Sequence, residues 1–354
     1  VILSKRGDVC YGWEVELPPA FRCNEERYDA IVQALFSAVT LLPDYTVVHK
    51  QDVYMKKKYV AEKSDGLLQE AYERHFDGRE YLDHRCILFL IFSSKKNVRG
   101  ASSGLLGISA GGSMPKAEAL ARYAAMAEQF ATVVQGCGLL EMRRLTEDDI
   151  FGVGDFPGLI QDYLNFTDEG EDVLSDIQMR RDRVRTGDRY IGCHLIADLD
   201  QLPAEVASCR KVTSLSTDSS AVNLSFLNEI GQELDCEHIV NHFILKEPQK
   251  DIHGELDTRR RQMLSMSARS AENRMYSEEL NEFLEETATE QMHTVRFHIN
   301  VLAGGTADEF ESVKDKVVSA VSRMGVTPVY DIYDTPCQFW ASIPGNEAGL
   351  AYQE

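Results

Sequence analysis

Three patterns in the sequence predict an α+β fold. Val9, Tyr11, Trp13, Val15 and Leu17 alternate with polar residues, the period of a half-buried strand. Tyr28, Ile31, Val32, Leu35, Phe36, Val39 and Leu42 instead recur at helical spacing. Strand-like and helix-like segments of this kind interleave along all 354 residues, a length that favours two or more packed units over one. The predicted architecture is two or more mixed sheet-plus-helix subdomains joined by a helical and glycine-rich connector. The first subdomain is expected over 1–114, the connector over 115–187 and the second subdomain over 188–354.

The elements follow in chain order. The first strand closes at Pro18-Pro19. The helix behind it starts near Asn24, whose side chain is suited to cap free N–H groups. Glu25 and Glu26 sit at its positive end, and Pro43-Asp44 stops it. Tyr45–Tyr54 reads as a strand and Ser64–Phe76 as a helix with Leu67, Leu68, Ala71, Tyr72 and Phe76 inward. The unbroken apolar run Cys86–Phe92 reads as a central strand covered on both faces. Lys95–Ser113, rich in glycine and serine, predicts a mobile loop or hinge. A long helix is expected from Pro115 to about Gln135, ended by Gly136-Cys137-Gly138, and Thr146 opens another.

In the second half Gln178–Arg185, the turn Thr186-Gly187-Asp188 and Arg189–Ala197 read as a hairpin. Val222–Phe226 and Cys236–Leu245 supply further strands, and Leu256–Thr289 is a long polar helical stretch. Val295, Phe297, Ile299 and Val301 alternate in a strand, with a turn at Gly304-Gly305. Thr306 and Glu309 form a capping box for a helix whose stripe runs Phe310, Val313, Val317, Val321, Met324 and which Gly325 ends. Val326–Tyr333 returns as a strand. The same alternation in both halves hints at a structural duplication, without a sequence repeat to match it.

Composition narrows the function. A formal net charge of -20 argues against sequence-independent nucleic-acid binding, which needs a clustered positive surface, and against adsorption to an anionic membrane face. Eight scattered cysteines with no Cys-x-x-Cys pair fit reduced thiols in a cytosolic protein. Glycine never precedes lysine in the chain, so no phosphate-cradling loop of the Gly-Lys-Ser/Thr kind is present, and no P-loop ATPase domain is expected. No catalytic, cofactor-binding or metal-binding residue is assigned. Cys236, His238 and His242 would share a strand face, but at about 3.3 Å per residue the two histidines lie too far apart to chelate, and satisfied sheet-face histidines are the better reading. Asp52, after His49 and Lys50, reads as a strand edge and turn rather than a polar relay. Arg180, Arg181, Arg183 and Arg185 make a basic stripe, and Arg259, Arg260, Arg261, Arg269 and Arg274 another. Each is either a solvated face or a contact for nucleic acid or an acidic neighbour, an acidic partner surface being the better reading of the two contacts.

Two stretches carry a family resemblance most strongly: Leu42-Pro-Asp-Tyr-Thr-Val-Val-His-Lys-Gln-Asp52 and Phe339-Trp-Ala-Ser-Ile-Pro-Gly-Asn346. Both resemble the N-terminal region of TraG, the secretion-channel ATPase of conjugative transposons. Ile2–Asp8, Tyr72–Phe76, Arg144–Asp148, Leu215–Asp218 and Phe297–Asn300 resemble TraG segments in the same order, so the likeness covers nearly the whole chain. The resemblance implies the non-catalytic N-terminal region of a cytoplasmic motor that energises a type IV secretion channel. Such a region would lie at the inner membrane through its partners and dock on inner-membrane channel subunits. ATP and magnesium would belong to an ATPase domain following Ile343-Pro-Gly-Asn346, with homo-oligomers forming at full length. The expected partner contacts are Arg181, Arg183 and Arg185, and the aromatic pair Phe339 and Trp340, which read equally well as ordinary core residues. The competing reading is a freestanding soluble enzyme, which a buried cluster of carboxylates and histidine with perturbed pKa values would favour.

Overall fold

The computed structural model describes residues 1–63, 66–99, 114–154, 156–167, 175–198, 201–203, 206–217, 221–290, 292–350 and 352. The expected hinge is helical over Lys95–Arg99 and lies, over 100–113, outside these residues. The first half runs β1 (Ile2–Leu3), β2 (Val9–Glu16), α1 (Glu25–Thr40), β3 (Thr46–Lys58), α2 (Leu67–Phe76), β4 (Glu80–Phe92), α3 (Lys95–Arg99), α4 (Ala117–Gln135) and β5 (Glu141–Arg144). The middle holds α5 (Glu147–Phe151), β6 (Gly152–Val153), β7 (Phe156–Pro157), α6 (Leu159–Asn165), β8 (Ile177–Arg180) and β9 (Arg183–Thr186). The second half runs β10 (Arg189–Ile196), β11 (Cys209–Lys211), β12 (Asn223–Ser225), β13 (His238–Lys246), α7 (Gln249–Met266), α8 (Ala271–Thr289), β14 (Arg296–Gly305), α9 (Phe310–Arg323), β15 (Val329–Tyr330) and α10 (Thr335–Ala341). The fold is α+β.

The strands of the two expected subdomains enter one antiparallel sheet, 11-stranded among the described residues. The first half contributes β5-β2-β4-β3 and the second β15-β10-β14-β13. Numbered within its own half, each set lies in the order 4-1-3-2, the split β-α-β-β-α-β arrangement of ferredoxin-like folds. The halves join edge to edge, β3 pairing with β13 from Thr46↔Lys246 to Tyr54↔His238. The structure therefore contains the duplication at which the element order hints. Strands β5, β8 and β9, all from the expected connector span, complete the two outer parts of the sheet.

Residue parity assigns the faces. Val48 lies in a core with α1 and α4, and Asp52, two positions of the same face away, stands opposite Val240, in a core with α9. Both helical layers therefore cover one face. The other face, from Val47, Phe89 and Phe243 to Met55, Ile239 and Leu302, is covered by α5, α6, α10 and the terminal segment around Leu350. The helix-bearing core explains why the sequence periodicities hold. Asn24 accepts from Arg27 N at 3.1 Å and caps α1, and Thr146 forms a complete capping box for α5.

Several expectations are corrected. Leu67, Leu68 and Tyr72 point to solvent rather than inward; the buried residue of α2 is Glu73, which accepts from Tyr59 Oη at 2.7 Å. Gly304 and Gly305 end β14 instead of turning, paired with Ile191 and Tyr190 of β10, and the Phe166 ring lies so close that a Cβ on Gly304 would sit 2.6 Å from it. The polar helical stretch is two helices, α7 and α8, and the last strand shrinks to Val329–Tyr330. No helix among the described residues is long and apolar enough to cross a membrane.

Candidate functional site: the seam between the repeats

The seam where β3 meets β13 concentrates the polar side chains of the sheet. On its helix-bearing face, register places Lys50 opposite His242 and Asp52 opposite Val240, with Cys86 of β4 on the other flank of Asp52. Lys50 Nζ donates to Asp52 Oδ2, and His84 Nε2 donates to Asp52 Oδ1 at 2.9 Å. One row further on, the rings of His84, Tyr54 and His238 form a three-strand stack, with centroids 4.4 and 4.5 Å apart. Burial works against the Lys50 charge, but the Asp52 carboxylate outweighs it and holds the ammonium above the usual lysine range. Burial likewise opposes the Asp52 charge, and Lys50 with His84 holds that carboxyl well below the usual range. Burial first, and the Lys50 charge second, bring His242 down to about 4. Burial also pushes the Cys86 thiol far up, so it stays protonated and is no nucleophile.

The opposite face of the same seam is a closed hydrogen-bonded network. His49 Nδ1 lies 3.1 Å from Glu347 Oε1 and His49 Nε2 3.0 Å from Asn241 Oδ1, both His49 and Glu347 being fully buried. Gln51 Nε2 donates to Asn241 Oδ1 at 2.8 Å and to the Ser342 carbonyl at 3.0 Å. Asn241 Nδ2 donates to Asn300 Oδ1 at 2.7 Å, and Asn300 Nδ2 and His298 Nε2 reach Gln338 Oε1 at 3.1 and 2.9 Å. Glu347 arrives there because Ile343-Pro344-Gly345-Asn346 makes a tight turn. Gly345 has φ of 94°, a left-handed conformation that disfavours any side chain, and its N–H donates to Glu347 Oε2 at 2.7 Å. The segment from α10 to Tyr352 is thus a strap crossing from the second repeat, at Phe339 and Ile343, to the first, at Ala348, Leu350 and Tyr352. Chemically, the seam offers fixed charges and satisfied donors rather than a free nucleophile. It holds two repeats in register.

The residues expected to contact partners fall elsewhere. Phe339 is fully buried and packs back on the second repeat against Tyr163, whose Oη donates to the Phe339 carbonyl at 2.7 Å. Trp340 is half-buried, its Nε1 3.2 Å from Met179 Sδ. Arg181, Arg183 and Arg185 do not form one stripe. A turn at Arg181-Asp182 breaks the expected strand, leaving Arg181 exposed while its carbonyl accepts from Thr335 N at 3.1 Å. Arg183 lies over the Phe310 ring and beside Asp182, and Arg185 over the Tyr190 ring. In the second basic set, Asp257 pairs with both Arg260 and Arg261. His238 Nδ1 donates to the Cys236 carbonyl at 2.8 Å, and no cluster able to hold a metal occurs among the described residues.

Asp52 is not at a strand edge but in mid-sheet, and it anchors the cluster the sequence reading missed. The available signal was the run His49-Lys50-Gln51-Asp52, four polar residues inside a strand otherwise apolar enough for a core. Gly107-Ile108-Ser109-Ala110-Gly111 has the spacing of a nucleophile elbow and lies outside the described residues. No protein-family model matches the chain, and no curated protein matches it.

Proposed function

We propose that this chain is the non-catalytic N-terminal region of a conjugation or type IV secretion ATPase, docking the motor onto inner-membrane channel subunits during conjugative DNA transfer. One observation carries the reading. The two stretches that most resemble TraG, Leu42–Asp52 and Phe339–Asn346, are far apart in sequence yet meet at the seam, where Gln51 bonds the Ser342 carbonyl and the turn after Ile343 sets Glu347 on His49. A likeness strongest at residues that hold each other in place is what a shared fold would preserve. On this reading the strap ties an ATPase domain that follows it, using ATP and magnesium, to the middle of the sheet. The protein works in the cytoplasm and reaches the membrane through its partners. Co-purification of the chain with the inner-membrane subunits of a conjugation channel tests it, together with titration by a fluorescent ATP analogue. Retention of a channel subunit without saturable nucleotide binding is the expected result. Micromolar ATP binding with phosphate release, or retention of no subunit, overturns it.

The Lys50–Asp52–His84 cluster favours a second reading, a freestanding enzyme. Both Asp52 oxygens are engaged, Lys50 is pinned as an ammonium and Cys86 is protonated, so the cluster lacks a poised base or nucleophile. An activity abolished by Asp52→Asn in a folded protein would decide for the enzyme.

A further inference from the structure

We propose that the outer face of α8 is a docking site for a basic amphipathic helix of a partner protein. α7 and α8 form a helical hairpin inserted between β13 and β14, with Ser277 Oγ donating to the Arg260 carbonyl at 3.4 Å across the pair. Ser277 and Thr287 are the buried residues of α8. Met275, Glu279, Glu286 and Glu290 lie on the side turned away from them, with Phe283 and Tyr276 along the edge of that side, at three- and four-residue spacing. Met275 is 57% exposed, and Tyr276 and Phe283 are each 39% exposed. Large apolar side chains left in solvent along one helix face mark a contact surface.

Charge selects the occupant. The helix carries six glutamates against one arginine, and Arg274 already lies near Glu278. A second copy of this chain, at a net charge of -20, would bring like charge to the face, as would nucleic acid. The complement is a helix with leucine-like residues on one stripe and Lys or Arg beside them. Past the end of the hairpin the His293 ring lies 6.3 Å from Phe36 of α1, which is exposed, as is Val32.

The inference rests on the docking reading above and names its surface. The test uses the whole chain and a labelled amphipathic Leu/Lys peptide of about 18 residues, long enough to form a helix on binding, followed by fluorescence anisotropy. The expected result is micromolar binding that weakens about tenfold for Phe283→Ser and at least as much for Glu279→Lys/Glu286→Lys, with the far-UV spectrum and melting curve unchanged. A scrambled peptide of the same composition binding equally well, or variants binding like the wild type, overturns the proposal. So does a concentration-dependent dimer that Phe283→Ser dissolves. A channel subunit retained equally by Phe283→Ser and wild-type protein rejects this surface while the docking reading stands. Peptide binding with the expected variant pattern, but no channel subunit retained, supports the surface and rejects that reading.

Discussion

In the first repeat both α1 and α4 lie on the sheet, whereas in the second, among the described residues, only α9 does. Between β10 and β13, where α1 has its counterpart position, the chain instead carries the β11–β12 hairpin and a short 3-10 segment, Phe226–Ile230. Ile230, Leu234 and Cys236 fill the core there as Ala38 and its neighbours do in the first repeat. Strand order is kept while the cover is exchanged. The pairing pattern thus defines the unit, and any segment able to bury enough apolar area can close it. The repeats differ also in their buried titratable groups. Of the buried groups whose titration the fold shifts, the histidines His194, His238, His242 and His298 all lie in the second, while the Asp52 carboxylate lies in the first.

Among single substitutions, the largest expected effect breaks the join itself. Glu347→Ala leaves His49 without its buried partner and should cost about 3–5 kcal/mol of stability, measured by urea unfolding. His49→Ala should cost a comparable amount, and the double variant less than the sum. Additive losses would mean that the pair does not hold the repeats together.

Acid should separate the repeats next. Burial brings His238 and His298 down to about 4, and burial followed by the Lys314 charge does the same for His194, from an ordinary 6.5. The fold therefore favours their neutral forms. Their contribution is complete above pH about 6.5 and is lost as pH falls toward 4, by about 1.4 kcal/mol per group for each pH unit in that window. Asp52, depressed in the fold, adds its loss only below the ordinary carboxylate range of about 4. Hydrogen exchange between pH 6.5 and 4 should show β10, β13 and β14 opening before β2 and β4. Uniform opening would remove the distinction.

Gly345→Ala forces a side chain into the left-handed turn that delivers Glu347, at about 1–3 kcal/mol, again read by urea unfolding. Least costly is Asn24→Ala, about 1 kcal/mol from the lost cap of α1, with thermal unfolding as the readout. Among the described residues the second repeat has no α-helix at that place to lose.

The layout of single elements was legible because each is governed by neighbours a few residues away: the alternation of Val9 to Val15, the cap at Asn24, the stripe from Phe310 to Met324. What joins them was not. The pairing of Asp52 with Val240 depends on which edge of each repeat is left unpaired, and local periodicity carries no record of that. The same holds for α2, whose Leu67, Leu68 and Tyr72 follow a helical stripe but stand on an inserted arm with nothing to cover them. Arg181 left its stripe for an equally simple reason, since alternation looks identical on either side of a tight turn. Phe339 was read as core or anchor with equal weight, and only the strap's path across the sheet decides for the core.

The repeats meet through the same edge strand used twice, β3 in one and β13 in the other, running antiparallel. That is the geometry of a two-fold dimer written into a single polypeptide. Such a join is made by the two edges themselves, and the connection between the halves only raises their local concentration. A chain cleaved once between β5 and β10 should therefore remain one particle. Its fragments, parted in denaturant and returned to buffer, should find each other again as subunits do.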